Sequence, residues 1–256
     1  MRKSAGRLLV IAGHDPTGGA GVDADREAAR HFGLPASLVV TAYTEQGDGV
    51  VRSIGPRQAS IWLREARAAC RPRPLAIKTG LLPGAEHVAA VARLIEELAE
   101  TDQVPPVVVD PCLAASGGEV FLDGPGREAL LEQLLPLGCY LTPNLPEAAE
   151  LTGRRPDELQ DSLEARIEAA RELLEKGARA VILKGGHGSE DPLRELVLDA
   201  DGARWLERPR VPGPGIHGSG CRFASAFAAR IAQGAGVDEA ASDAGEWLSE
   251  RIAASG

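Results

Sequence analysis

Cysteine is scarce in this chain, and positive charge is scarcer than negative. Cys70, Cys112, Cys139 and Cys221 stand far apart with no paired spacing, which argues against both a disulfide framework and a zinc site. Free thiols of this kind suit a reducing cytoplasm. Against 37 acidic residues there are only 28 lysines and arginines, a formal charge of −9, so no broad field draws in nucleic acid or an anionic membrane. Any phosphate must be held by local groups. Long apolar runs are also missing: Met1-Arg2-Lys3 has the charge of a signal-peptide start, but Leu8 to Ala12 is too short for an h-region and meets Gly13-His14-Asp15, so no membrane partner is expected. There is no Walker A pattern. The formal G-x-G-x-x-G match from Gly213 to Gly218 contains Pro214 and opens no first βαβ unit, which disfavours a dinucleotide fold. His14, His187 and His217 lack the spacing of a helix-borne ligand pair, so a transition-metal site is not expected. No repeat, low-complexity tract or composition shift divides the chain. Residues 1–256 are therefore expected to form a single domain.

What is present is an alternation of short apolar runs with amphipathic stretches. Leu8–Ala12 is continuous and apolar, the mark of a strand buried on both faces of a parallel sheet. Residues 37–43, 75–78, 107–109, 139–141 and 180–184 follow the same pattern. Helical periodicity covers 22–32, 61–69, 86–100, 127–135, 162–174 and 238–253. Asp201-Gly202 between two apolar runs signals a hairpin near a sheet edge. The fold class is α/β, a mostly parallel sheet with helices on both faces.

Glycines cluster where these runs end. Gly13-His14-Asp15-Pro16-Thr17-Gly18-Gly19-Ala20-Gly21 follows the first strand, at the carboxyl end where open α/β sheets bind ligands. Gln46, after the second strand, carries donors and an acceptor that suit a nitrogen heterocycle. Asp110 ends a buried strand, and Pro111 stops the ladder behind it. Asn144 and Glu147 lie three apart at a helix start, a spacing that suits a capping box and also suits two groups holding waters around Mg²⁺. Lys184 at a strand end, before Gly185-Gly186, can reach a phosphate or the rim. Most pointed is Gly215-Ile216-His217-Gly218-Ser219-Gly220-Cys221, which runs into the apolar stretch Phe223–Ala229 as a loop feeding a helix. Its backbone N–H groups and the helix dipole form an anion cradle. Cys221 sits at the junction, where the local field is expected to lower a thiol pKa.

These motifs, in this order, with Asp23-Ala24-Asp25, Thr41-Ala42 and Lys78-Thr79-Gly80, closely resemble the hydroxymethylpyrimidine/phosphomethylpyrimidine kinases of thiamine biosynthesis, members of the ribokinase-like superfamily. The resemblance covers roughly residues 7 to 250 and implies a three-layer ribokinase-like fold in a cytoplasmic homodimer. It implies ATP-dependent phosphorylation of 4-amino-5-hydroxymethyl-2-methylpyrimidine and then of its monophosphate, with Mg²⁺ as cofactor. Carried over residue by residue, it sets the pyrimidine at Gly13, Asp15, Ala20, Gln46 and Gly80, and ATP at Lys184, Asn144 and Gly186. It sets Mg²⁺ at Asp110 and Glu147, and the transferred phosphate over Gly218, Ser219, Gly220 and Cys221. Pyridoxal kinase is the nearest alternative, and a non-catalytic pyrimidine sensor on the same scaffold is the alternative from another class. The chain departs from its relatives at His14 (usually serine), Gly47 (usually asparagine) and Ala115-Ser116-Gly117 (usually lysine-serine-glycine).

Overall fold

The computed structural model describes residues 6–47, 50–101, 104–115, 117–213 and 215–255; Ser116 of the last departure lies outside them. The order is β1 (Leu8–His14), α1 (Gly21–His31), β2 (Ala36–Gly47), β3 (Val50–Pro56), α2 (Ala59–Ala69), β4 (Ala76–Thr79), α3 (Ala85–Ala99) and β5 (Val107–Val109). It continues with α4 (Gly124–Ala129), β6 (Tyr140–Leu141), α5 (Leu145–Leu151), α6 (Pro156–Asp161), α7 (Leu163–Glu175), β7 (Ala180–Leu183), β8 (Leu193–Asp199), β9 (Gly202–Arg208), α8 (Ser219–Ala232) and α9 (Val237–Ala253).

One nine-stranded sheet takes the order β3-β2-β1-β4-β5-β6-β7-β8-β9. The six strands from β2 to β7 pair in parallel, while β3 at one edge and the β8–β9 hairpin at the other run antiparallel. Strand periodicity sorts the core. Leu8, Val10 and Ala12 of β1 meet Val22, Phe223, Phe227 and Ala244 from α1, α8 and α9. Leu9 and Ile11 meet Trp62, Val91, Leu145 and Leu173 from α2, α3, α5 and α7 on the opposite face. Both faces are covered, which is why β1 reads as an unbroken apolar run.

Three details differ from the sequence reading. β2 runs on through Thr44-Glu45-Gln46-Gly47 and pairs antiparallel with β3, so Gln46 stands on a strand and not in a loop. Helix 127–135 starts earlier, at Gly124, and changes its hydrogen-bond pattern without leaving the helical backbone: α4 runs to Ala129, a π turn covers 130–134 and a 3₁₀ turn covers 135–137. Its start is capped by Asp123, whose carboxylate accepts the Gly126 N–H at 2.9 Å. The short helix α6 had no counterpart among the expected elements. No helix among the described residues is long and apolar enough to cross a membrane.

Candidate active site

The parallel strands end along one rim, and a cavity of about 790 Å³ opens there. It is lined by Gly13, Asp15 and Ala20 from the β1–α1 loop, Gln46 on β2, Asp110 after β5, and Asn144 and Glu147 at the start of α5. Lys184 and Gly186 after β7 join them, as do Gly218, Ser219, Gly220 and Cys221 at the start of α8. Gly80 does not line the cavity. A Cβ there would come within 3.0 Å of Lys78 Nζ and 3.1 Å of Ala12 Cβ, so this glycine lets the chain leaving β4 pass close to β1.

Gly218 takes a left-handed φ of +74°, and a side chain on it would drive into the Gly19 carbonyl and come within 2.8 Å of Ala20 Cα. Only glycine fits. No backbone acceptor among the described residues takes the N–H of Gly218, Gly220 or Cys221, which leaves these donors free for a ligand. At Gly220 an added Cβ would lie 3.3 Å from Lys184 Nζ and 3.9 Å from both Asp110 oxygens. The helix start is pressed onto a lysine–aspartate pair.

The expected lowering of the Cys221 pKa does not occur. Burial pushes this thiol up to about 11, and neither Lys78 nor the Gly21 N–H that bonds to it restores the balance. Asp25 and Asp110 push it the same way as burial does. At neutral pH the group facing the cavity is S–H.

Beneath the cradle lies a row of buried charges. Lys184 Nζ donates to Asp110 at 3.2 Å, Lys78 Nζ lies 3.9 Å from the other Asp110 oxygen, and Lys78 donates to Asp25 at 2.7 Å. Ser225 also donates to Asp25, at 2.8 Å. Burial opposes the Lys78 charge, but the Asp25 and Asp110 carboxylates outweigh it and raise its pKa well above the lysine range. Asp25 and Lys78 were visible in the sequence only as members of motifs; no local pattern announced their pairing.

Asn144 and Glu147 form the capping box: Asn144 accepts the Glu147 N–H at 2.8 Å and Glu147 accepts the Asn144 N–H at 2.8 Å. The second Glu147 oxygen faces the Leu113 N–H at 3.4 Å. Among the described residues no group of three or more His, Cys, Asp or Glu side chains could hold a metal ion. This donor set does fit Mg²⁺ carried on phosphates, which needs one or two carboxylates and keeps several waters.

Residues 15–256 match the family model described as phosphomethylpyrimidine kinase. A hydroxymethylpyrimidine/phosphomethylpyrimidine kinase of Bacillus subtilis is 34% identical over 248 residues, covering 96% of this chain and 89% of that protein. The chain belongs to the phosphomethylpyrimidine kinase family. Among solved structures, a phosphomethylpyrimidine kinase of Clostridium difficile superposes with a TM-score of 0.80 at 26% identity, covering 96% of this chain and 99% of that one. Staphylococcus aureus pyridoxal kinase in complex with AMP-PCP and pyridoxal superposes with a TM-score of 0.85 at 28% identity, covering 98% and 88%. These kinases share the ribokinase-like fold seen here, and the chain is a phosphotransferase.

In this chain the β1–α1 loop and the loop before α8 meet directly. Asp15 is buried and its carboxylate is already engaged by the Thr17 N–H at 2.9 Å, the Ala20 N–H at 2.9 Å and His217 Nε2 at 2.9 Å. It braces the cavity wall and has little left for a substrate. Burial opposes ionisation of Asp15, but the hydrogen bonds from Thr17 and His217 prevail and hold its pKa below the usual carboxylate range. A depressed folded pKa gives stability that is present above the unfolded carboxylate pKa of about 4 and is lost as pH falls through the folded value. Asp15→Asn is therefore expected to narrow the gap in melting temperature between pH 6 and pH 3; an unchanged gap would remove Asp15 from the acid response.

The Gln46 amide donates to Thr44 Oγ1 at 2.8 Å, which orients its remaining donor and acceptor atoms. Cys112, Glu195 and Arg208 are among the cavity residues that escaped the sequence reading. Cys112, with a φ of 48°, has its thiol pKa raised well above the ordinary value by burial. Glu195 and Arg208 pair across the β8–β9 hairpin at 2.7 Å. Nothing in the sequence of β8 or β9 hinted that this pair also faces a ligand cavity.

Proposed function

We propose that this enzyme transfers the γ-phosphate of ATP to the hydroxymethyl oxygen of 4-amino-5-hydroxymethyl-2-methylpyrimidine, and then phosphorylates the monophosphate, within thiamine biosynthesis. The observation that carries this reading is one cavity with two chemically distinct walls. Gly13, Ala20 and Gln46 make a small wall with one amide, suited to a flat heterocycle. Gly218 to Cys221, with Lys184 and Asp110, make a wall of free N–H groups and buried charge, suited to phosphate. AMP-PCP in the S. aureus pyridoxal kinase complex supports ATP as donor.

Phosphoryl transfer is governed by alignment and by neutralising the charge on the transferred group. The unpartnered N–H groups of Gly218, Gly220 and Cys221 point donors at that group, and Lys184 brings a cation to within 3.3 Å of a Cβ position on Gly220. The Cys221 thiol, protonated at neutral pH, closes the hole beside the acceptor. Asp110, Glu147 and Asn144 would hold Mg²⁺ through waters, where it neutralises phosphate charge. Asp110 also keeps Lys184 charged: burial opposes the ammonium, but Asp110 and Glu147 raise its pKa.

Offering the purified protein Mg·ATP with hydroxymethylpyrimidine, its monophosphate or pyridoxal in turn, and measuring ADP release, tests the reading. ADP with both pyrimidines supports it. ADP with pyridoxal alone transfers the assignment to pyridoxal kinase, the reading favoured by the S. aureus neighbour. Binding without ADP marks a sensor. Gln46→Ala is expected to raise KM for the pyrimidine about tenfold, the worth of one or two lost hydrogen bonds, with KM for ATP unchanged; equal rises in both would move Gln46 out of the acceptor pocket.

A further inference from the structure

We propose that Arg222 is a positioning residue that locks the acceptor loop and the anion cradle into one register. The inference rests on the kinase reading above. Arg222 is an anomaly in sequence, a charge between Cys221 and the apolar run Phe223–Ala229, and only 6% of it is exposed. It does not line the cavity, so it acts through other groups.

Its contacts span two loops about 200 residues apart in the chain. Nη1 donates to the Gly19 carbonyl at 2.7 Å and to the His217 carbonyl at 2.7 Å. Nε donates to Glu27 at 2.9 Å, and Nη2 lies 2.7 Å from the same carboxylate. On its other side Glu27 is held by Arg251 of α9 at 2.7 Å. The guanidinium plane is therefore fixed by Glu27 while one nitrogen gathers both carbonyls, a task suited to a rigid fork and not to a single ammonium.

The consequence follows from peptide geometry. In a trans planar peptide the C=O and the next N–H point in opposite directions. Holding the His217 carbonyl on Arg222 turns the Gly218 N–H the other way, into the cradle, where no backbone acceptor among the described residues takes it. Holding the Gly19 carbonyl turns the Ala20 N–H toward Asp15, which accepts it at 2.9 Å. One side chain thus aims a donor of the phosphate hole and fixes the loop that carries the acceptor wall. The Asp15–His217 contact alone does not do this, because it leaves both carbonyls free to rotate.

The test compares Arg222→Met, Arg222→Lys and Arg251→Gln with the parent for kcat, both KM values and melting temperature. Arg251→Gln removes the outer arm of the network and touches neither carbonyl. The expected result is a kcat at least tenfold down in Arg222→Met at saturating substrates, a smaller drop in Arg222→Lys, and parental kcat in Arg251→Gln. Parental kcat in Arg222→Met overturns the proposal. So does an equal loss in Arg251→Gln, which would reduce the network to general support. If Arg222→Met does not fold, Arg222→Lys decides: a fivefold or greater loss of kcat supports the role and a parental kcat removes it. An inactive parent would instead sink the kinase reading, and hydrogen exchange at Gly218 then decides: faster in Arg222→Lys than in Arg251→Gln supports the clamp, and equal rates end it.

Discussion

Cys221→Ala is expected to lower kcat by about 10²- to 10³-fold, the cost seen when a group is removed from a hole that stabilises a developing charge, while ATP affinity stays within a few-fold. The side chain stands in the first turn of α8, where the N–H groups of Gly218, Gly220 and Cys221 meet no backbone acceptor among the described residues, and it lines the same cavity as Lys184. Its pH behaviour separates two roles. Burial pushes the thiol up to about 11, so it remains S–H across the working range and its contribution is independent of pH from 7 to 9.5. The ratio of parental to variant kcat is therefore expected to stay level over that interval. A thiolate base would behave differently, its active fraction rising tenfold for each pH unit below 11. A ratio that climbs in that way would make Cys221 the base, and a ratio near one throughout would remove it from the chemistry.

Lys78→Met is expected to destabilise the fold by about 3–5 kcal/mol, the usual cost of breaking a buried ion pair from one side. Lys78 and Asp25 are both fully buried and 2.7 Å apart. One oxygen of Asp25 already lacks a hydrogen-bond partner among the described residues, so without Lys78 only the Ser225 hydroxyl would remain on the carboxylate. Removing the lysine also leaves Asp110 with Lys184 alone. The midpoint of urea unfolding at constant m-value measures the loss. A change below about 1 kcal/mol would mean that the pair is dispensable. Replacing both partners, Lys78→Met with Asp25→Leu, is expected to recover much of the stability, since neither charge is then stranded.

Most of the parallel strands were legible because β1, β4, β5, β6 and β7 are buried on both faces and so read as short runs that are mostly apolar. The β8–β9 hairpin was legible because Asp201-Gly202 sits between two such runs. β3 was not. It is mostly exposed, with only Val51 buried, and so shows no apolar alternation, although Asp48-Gly49 carries the same dipeptide signal as the hairpin that was recognised. That Gly218 to Cys221, Asp110, Lys184 and the Asn144–Glu147 pair would gather at one rim could be read because glycines and charges at strand ends are conspicuous. Gly80 was misread because a glycine needed for close packing looks identical in sequence to one that admits a ligand. The thiol pKa was misjudged because a helix start can be recognised locally, whereas depth depends on α1 and β4 folding over it. Arg222 and Glu27 were missed for a related reason: nothing in either segment names the other.

Two facing loops of the cavity come from opposite ends of the chain. Asp15 meets His217 and Gly19 meets Arg222, each pair joined across more than 200 residues, while the sheet from β1 to β7 is complete without α8. Lys184 and Asp110 lie earlier in the chain, but the N–H donors of Gly218 to Cys221 join them only when the α8 segment is in place. A chain cut before α8 therefore loses the N–H donors of the cradle and, with them, the His217 and Arg222 contacts that hold the β1–α1 loop.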